Sequence, residues 1–391
     1  MTDQNDTDAQ PKSPVPNIRE ELGLGRDSST DTDANDEELS LIRSHAKGGE
    51  LFQIFIVNVV LSILTLGIYR FWGKTRMRRY LWGHVEVMGD RLEYTGTGQE
   101  LFLGFLFVFF LILLPVFGGF AVLDNMLMDA DPIWQGIKAI VQMVVILFLV
   151  SVAIFRARRY RLTRTHWRGI YGGQTGSSLK YGFLGLGCYL LTLVTLGLAW
   201  PLCSVWLARF EMDNTWIGDQ QPEFNPRVAT LYKSYAVFWV FIAVWMGLVV
   251  SGAMSFLGAD GEPDLQTEAE AAQFITGVIG VYASLILLAF AGNWYQGKAI
   301  SHFVSRTRFH NHELASSING MNFLWLSFSN WMLQILTLGL ATPWTFTRAL
   351  NYIEVKVDLV GDGDFSALLQ STQEKPTTGE GLADAFDIGG I

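Results

Sequence analysis

Asn58–Gly67 reads NVVLSILTLG, Asn330–Gly339 reads NWMLQILTLG, and between them Cys188–Gly197 reads CYLLTLVTLG. A polar or small residue is followed by leucines and then by Thr-Leu-Gly, each time inside an apolar run. The flanks agree as well. Pro201 and Pro343 lie six residues past the Thr of their copy, and Trp72 and Trp344 lie seven past it. A Gly-Asp pair closes each unit, at Gly89-Asp90, Gly218-Asp219 and Gly361-Asp362. Three matches at near-constant spacing predict an internal repeat.

Half of the 391 residues are apolar and 17% are charged, against about 25% in an ordinary soluble domain. Several runs reach the roughly 18 apolar residues needed to cross a hydrocarbon core. They are continuously apolar rather than alternating, which argues against a β-barrel. The chain therefore reads as an all-α polytopic membrane protein, in which a TLG-containing unit recurs with two transmembrane helices between copies. The net charge of −9 conceals a division of sign. Acid gathers in the tails and in two loops, while base follows particular apolar runs. The two cysteines, Cys188 and Cys203, fall in one apolar segment and offer neither a disulfide framework nor a metal spacing.

The organisation follows from these runs. Residues 1–44 form an acidic tail and 363–391 a second polar one, both expected to be disordered. The membrane domain spans 45–362, with units at about 50–95, 181–220 and 322–362 and single spans at about 101–123, 133–155, 235–257 and 274–293. His84–Thr95 alternates around Met88-Gly89-Asp90 and predicts a β-hairpin. Tyr352–Val360 alternates in the same way and predicts a strand, and such hairpins are expected to join on the cytoplasmic face. Gly172–Ser178 (GGQTGSS) lacks the Lys of a phosphate loop and reads as a linker.

Charge sets the topology. If each unit crossed the membrane once, the basic arms after Phe155 and after Asn293 would face opposite sides, and the five-acid loop around Asp260–Glu270 would be cytoplasmic. If each unit enters and returns, all basic arms and both termini are cytoplasmic. Gly67, Gly197 and Gly339 permit the turn, and Pro201 and Pro343 interrupt the helical ladder. A single tilted helix followed by an interfacial one is the other reading of each unit.

Asn58 and Asn330, with Thr65, Thr195 and Thr337, are the polar residues of these runs. Such residues either line a pathway or tie helices together. Arg76, Arg78 and Arg79, and Arg156, Arg158, Arg159 and Arg161, are candidate contacts to anionic lipid headgroups; the same residues also fix topology. Nucleic acid is not an expected partner. His302, His310, His312 and Glu313 lack the spacing of a helical zinc site, so no metal or other cofactor is expected. No catalytic constellation emerges, and the chain is not expected to be an enzyme.

Glu50–Phe52 (ELF), the stretch NVVLSILTLGIYRFWGKTRMRRYLW from Asn58, and GDRLEYTGTGQELFLGF (Gly89–Phe105) resemble the signature of the YjgN-like family. The resemblance covers roughly 45–362 and implies a multi-pass protein of the bacterial inner membrane, with no established activity or site residues. The second unit departs from the first, since Cys188 replaces Asn and the basic cluster after TLG is largely gone. Two functions fit this picture. One is a passive path for a small solute or lipid, because interrupted apolar segments in repeated positions point to a transporter's site. The other is a non-catalytic scaffold for envelope homeostasis that binds anionic lipid or unidentified protein partners.

Overall fold

The structure, a computed structural model, describes residues 41–128, 130–256, 268–309 and 312–360. Most of the two expected tails, Gly361-Asp362, His310 and the loop 257–267 lie outside the described residues.

Strand β1 (Ile42–Ser44) leads into a helical hairpin of α1 (Gly48–Leu64) and α2 (Arg70–Gly83). After β2 (Val85–Val87) and β3 (Asp90–Tyr94) come α3 (Gly98–Val108), a π-helical turn at Phe109–Leu113 and α4 (Leu114–Met126). Helix α5 (Pro132–Arg164) and strands β4 (Thr165–Trp167) and β5 (Ile170–Gln174) precede a second hairpin, α6 (Ser178–Val194) and α7 (Trp200–Asp213). Then follow β6 (Thr215–Ile217), β7 (Glu223–Phe224), α8 (Val228–Phe256) and α9 (Glu268–Val304). The chain ends in β8 (Thr307–Phe309), β9 (His312–Ser316), a third hairpin of α10 (Gly320–Leu336) and α11 (Thr342–Lys356), and β10 (Val357–Val360).

Among the described residues, four helical stretches are long and apolar enough to cross a membrane: Gly98–Met126, Pro132–Arg164, Val228–Met254 and Ile275–Val304. Most of their surface is uncovered by protein. Pro115 lies in the first turn of α4, directly after the π-turn. A proline removes one ladder N–H and crowds the carbonyl four residues back, and the wider turn relieves both. Val108 and Leu113 pack there on Val152, Ala153 and Ala157 of α5.

The strands form two antiparallel sheets, β1-β2-β3-β4-β5-β6 and β10-β9-β8-β7. Every hairpin begins and ends in neighbouring strands, paired Ile42↔Val87, Gly172↔Ile217 and Val357↔Ser316. The tight link between β2 and β3 places both Met88 and Gly89 at positive φ, the geometry of a type I′ turn. The first and third hairpins also meet. A Cβ on Gly48 would fall 2.4 Å from the Trp344 ring, which packs at a tilt on Phe52 with centroids 5.0 Å apart.

Several expectations need correction. The molecule is mostly helical rather than all-α, because the strands join into two sheets. Ile42–Ser44, assigned to the tail, are the first strand. Tyr352–Lys356 stay helical and only Val357–Val360 form a strand. Their period of two is overridden by packing, for Glu354 accepts the Ser44 N–H at 3.1 Å from the helical position. Gly172–Gln174 are a strand instead of a linker. Gly173 is needed there because the Trp216 indole occupies the space of a Cβ, 2.0 Å from its ideal position. Pro201 and Pro343 do not interrupt a helix; each stands in the first turn of one, where its missing N–H has no partner to lose.

Candidate functional site

The three hairpins share one turn. Thr65 caps α1, Leu66 takes φ +50° and Gly67 φ +90°. The Gly67 N–H reaches the Ser62 carbonyl at 2.6 Å and the Leu66 N–H reaches Ile63 at 3.2 Å. This is a Schellman motif with leucine, instead of glycine, in the left-handed position. Leu196 and Leu338 repeat it, each at φ +50°. A left-handed leucine costs roughly 1–2 kcal/mol, and it is also the wrong residue for water. Leu66 is 95% exposed and Leu338 94%.

The threonines close these turns. Thr65 Oγ1 donates to the Leu61 carbonyl at 2.7 Å and accepts the Tyr69 N–H at 2.9 Å. Thr195 joins Leu191 to Ala199, and Thr337 joins Leu333 to Ala341, in the same way. Each threonine thus pins the end of one helix to the start of the next, which accounts for all three without a pathway.

Asn58 is 5% exposed and donates from Nδ2 to the Gly73 carbonyl at 3.3 Å. Its Oδ1 has no partner among the described residues, and neither has that of Asn330. Each asparagine sits inside its own hairpin, so the structure does not assemble the two into one site. Gly73 lets α1 and α2 approach, since a Cβ there would stand 3.2 Å from that of Asn58.

Along this seam lies a groove of about 500 Å³, lined by Phe55, Asn58, Ser62, Leu66, Arg70 and Lys74 among others. That volume falls within the range of ligand pockets. The walls are apolar, with Arg70 and Lys74 on one face of α2. Both lie in the basic cluster Arg70–Arg79, which the sequence offers as a whole for contact with anionic headgroups. The readable signal was their spacing of four residues beside Gly73, which puts them on the seam side of a helix.

Four of the arginines chosen from sequence make contacts within the protein. Arg78 is fully buried, with Nη1 3.1 Å from the Tyr94 hydroxyl. Arg79 donates to the Gly96 carbonyl at 3.4 Å, and Arg76 is exposed. Arg158 pairs with Glu211 at 3.1 Å, and Arg159 donates to the carbonyls of Thr175 and Gly176. Arg156 and Arg161 are half-buried on the same helix. This arm belongs to α5 itself and fastens that helix to the second hairpin and its leading loop. Near the first hairpin's open end, the Tyr80 hydroxyl donates to Glu50 at 3.0 Å and holds its carboxyl below the ordinary value. His302 accepts the Arg227 N–H at 3.0 Å.

A family model described as "Bacterial protein of unknown function (DUF898)" matches residues 42–385. The inner membrane protein YjgN of Escherichia coli O157:H7 is 35% identical over 127 residues, covering 32% of this chain and 29% of that protein. Its counterpart in Escherichia coli K12 is 43% identical over 75 residues, 18% of this chain and 19% of its own length. The Salmonella typhimurium protein of the same name is 36% identical over 70 residues, 18% of each chain. The matched segments thus span less than a third of these relatives. No solved structure matches the chain.

Proposed function

The chain belongs to this family of bacterial proteins of unknown function, and from that premise we propose that it is a multi-pass, non-catalytic scaffold of the inner membrane. Its three repeated hairpins enter the bilayer and return, and its sheets, basic arms and both termini face the cytoplasm and the anionic leaflet.

One observation carries this reading. The strands before and after each hairpin are paired, so both ends of each hairpin lie in one sheet. A unit that crossed once would separate those strands by the thickness of the bilayer. The lengths agree. The first helix of each hairpin has 17 residues, about 25 Å at 1.5 Å per residue, short of a hydrocarbon core of about 30 Å. The turn leucines are then apolar tips in an apolar medium. Helix α5, with 33 residues, runs about 50 Å and carries its arginines beyond the core to the sheet. The relatives' description as inner membrane proteins agrees with that location.

A passive path for a polar solute stands second, because the exposed lining of the groove is almost entirely apolar. A path or holding site for lipid suits that wall better. No cofactor, metal or nucleic acid enters this reading.

Cysteine labelling tests it. In a chain with Cys188→Ala and Cys203→Ala, Gln221→Cys should react with an impermeant maleimide only in inverted vesicles, and Met128→Cys only in intact cells. Labelling of Gln221→Cys from outside would overturn the returning hairpin.

A further inference from the structure

We propose that the second repeat holds a phosphate group between Arg227 and Arg306, at the start of α8, in the place that a carboxylate fills in the first repeat. The seat follows from the fold. That a lipid headgroup supplies the phosphate rests on the membrane placement above.

The two copies correspond bond for bond at this place. Strand β3 pairs with β4 as Glu93↔His166 and Tyr94↔Thr165, and β7 pairs with β8 as Glu223↔Arg308 and Phe224↔Thr307. The Thr95 N–H reaches the Arg164 carbonyl at 2.9 Å, and the Asn225 N–H reaches the Arg306 carbonyl at 3.1 Å. Thr97 and Glu100 of the first copy therefore answer to Arg227 and Thr230 of the second, and Tyr160 and Arg164 to His302 and Arg306. In the first copy, Glu100 stands in the first turn of α3 and accepts from Tyr160 at 2.8 Å and from Arg164 at 3.0 Å. The second copy keeps the cation, gains another and loses the carboxylate.

Nothing among the described residues takes its place. Neither the Arg227 nor the Arg306 side chain forms an ion pair there, and both residues are exposed. Glu313, on the strand beside β8, is taken by Arg308. The charges of both arginines act on the His302 ring, which accepts the Arg227 N–H and so brings no negative charge of its own. Two cations gathered around one imidazole repel each other, and an anion between them removes that cost. Two planar guanidinium groups suit the several oxygens of a phosphate, where the single Arg164 suits a carboxylate. Helix α8 begins a candidate span, Val228–Met254, so the seat lies where that helix meets the headgroup layer. Phospholipid is the abundant phosphate there.

Native mass spectrometry of the full chain from nanodiscs of equimolar phosphatidylglycerol and phosphatidylcholine tests this. The protein should retain one phosphatidylglycerol in preference to phosphatidylcholine. Arg227→Gln with Arg306→Gln should lower that retention roughly thirtyfold, two cations at the strength of ordinary headgroup contacts. Thr230→Glu keeps both arginines and supplies the carboxylate of the first copy, so it should displace the lipid as well. Arg76→Gln, an exposed cation of the first hairpin, should change little. Equal losses from Arg76→Gln and the double variant would reduce the effect to general charge and overturn the seat, and so would unchanged retention in Thr230→Glu. In a second arm, the lipid-free chain in neutral detergent is titrated with inorganic phosphate. Retention in nanodiscs without a response to inorganic phosphate assigns the seat to lipid. A rise in unfolding midpoint that the double variant loses assigns it to free phosphate, and the absence of both effects overturns it. The maleimide pattern is read on every variant, so lost lipid with intact labelling marks failure of the seat and not of the returning hairpin.

Discussion

The first and second hairpins have the same turn and opposite finishes. In the second, helix α8 reaches over the turn and donates three hydrogen bonds to its carbonyls. Tyr232 binds Leu198 at 3.1 Å, Tyr235 binds Gly197 at 2.7 Å and Trp239 binds Leu196 at 3.0 Å. Helix α3 and the π-helical turn after it follow the first hairpin 130 residues earlier, and carry Phe102, Phe105 and Phe109 at those positions. These rings have nothing to donate. Phe102 and Phe105 pack on Phe71 at 5.6 and 5.2 Å and leave the turn uncapped by side chains from α3. Leu196 is accordingly 58% exposed where Leu66 is 95%. The seam follows the same division, with cysteines at 188 and 203 against Asn58 and Gly73. One copy has been closed into a structural part. The other keeps a bare tip, a groove with apolar walls and, among the described residues, an unpaired Oδ1 on Asn58.

The strongest way to break this contrast is to give the second turn the residues of the first. Tyr232→Phe, Tyr235→Phe and Trp239→Phe together remove three hydrogen bonds to the turn, each worth about 0.6–1.7 kcal/mol between membrane helices. The triple variant should lose about 2–3 kcal/mol of stability, seen as a lower unfolding midpoint in detergent. No change would mean that the caps are incidental. A smaller effect is expected at the bare tip. Leu66→Gly relieves the left-handed torsion and should raise the midpoint by the equivalent of about 1 kcal/mol, while a fluorophore beside the turn reports shallower insertion. A lower midpoint would show that the leucine side chain holds the turn through contacts.

The smallest effect concerns the first hairpin's ladder. Glu86 on β2 is held below the ordinary carboxylate value, first by a hydrogen bond from Arg91 and next by one from His45. The second hairpin has Trp216 at the corresponding place. A depressed carboxyl contributes stability above its unfolded pKa, and the contribution is lost as pH falls through the folded one. Amide exchange in β1–β2 should therefore quicken as pH falls through the lowered value of the Glu86 carboxyl. Exchange in β5–β6 should not follow, and Glu86→Gln should remove the difference.

Much of this was legible in the sequence. TLG marked all three turns, because a left-handed torsion followed by glycine has few chemical solutions. The long apolar helices were visible because their composition admits no other solvent. The β2–β3 hairpin was visible in Met88-Gly89. Other features were hidden because they are set by neighbours far along the chain. Tyr352–Lys356 alternates like a strand, yet the approach of Ser44 keeps it helical. Gly172–Gln174 looks like a linker until the indole of Trp216, more than 40 residues on, explains its glycines. Arg78 and Arg158 read as headgroup contacts and instead meet Tyr94 and Glu211.

By itself the sequence determined the medium and the local turns, because hydropathy and backbone torsion are properties of short stretches. The tertiary structure decided which strands pair, so that each hairpin starts and ends in one sheet. It also decided which copy is closed by α8 and which is left open. Those outcomes depend on side chains brought together across the chain, and neither hydropathy nor local spacing records them.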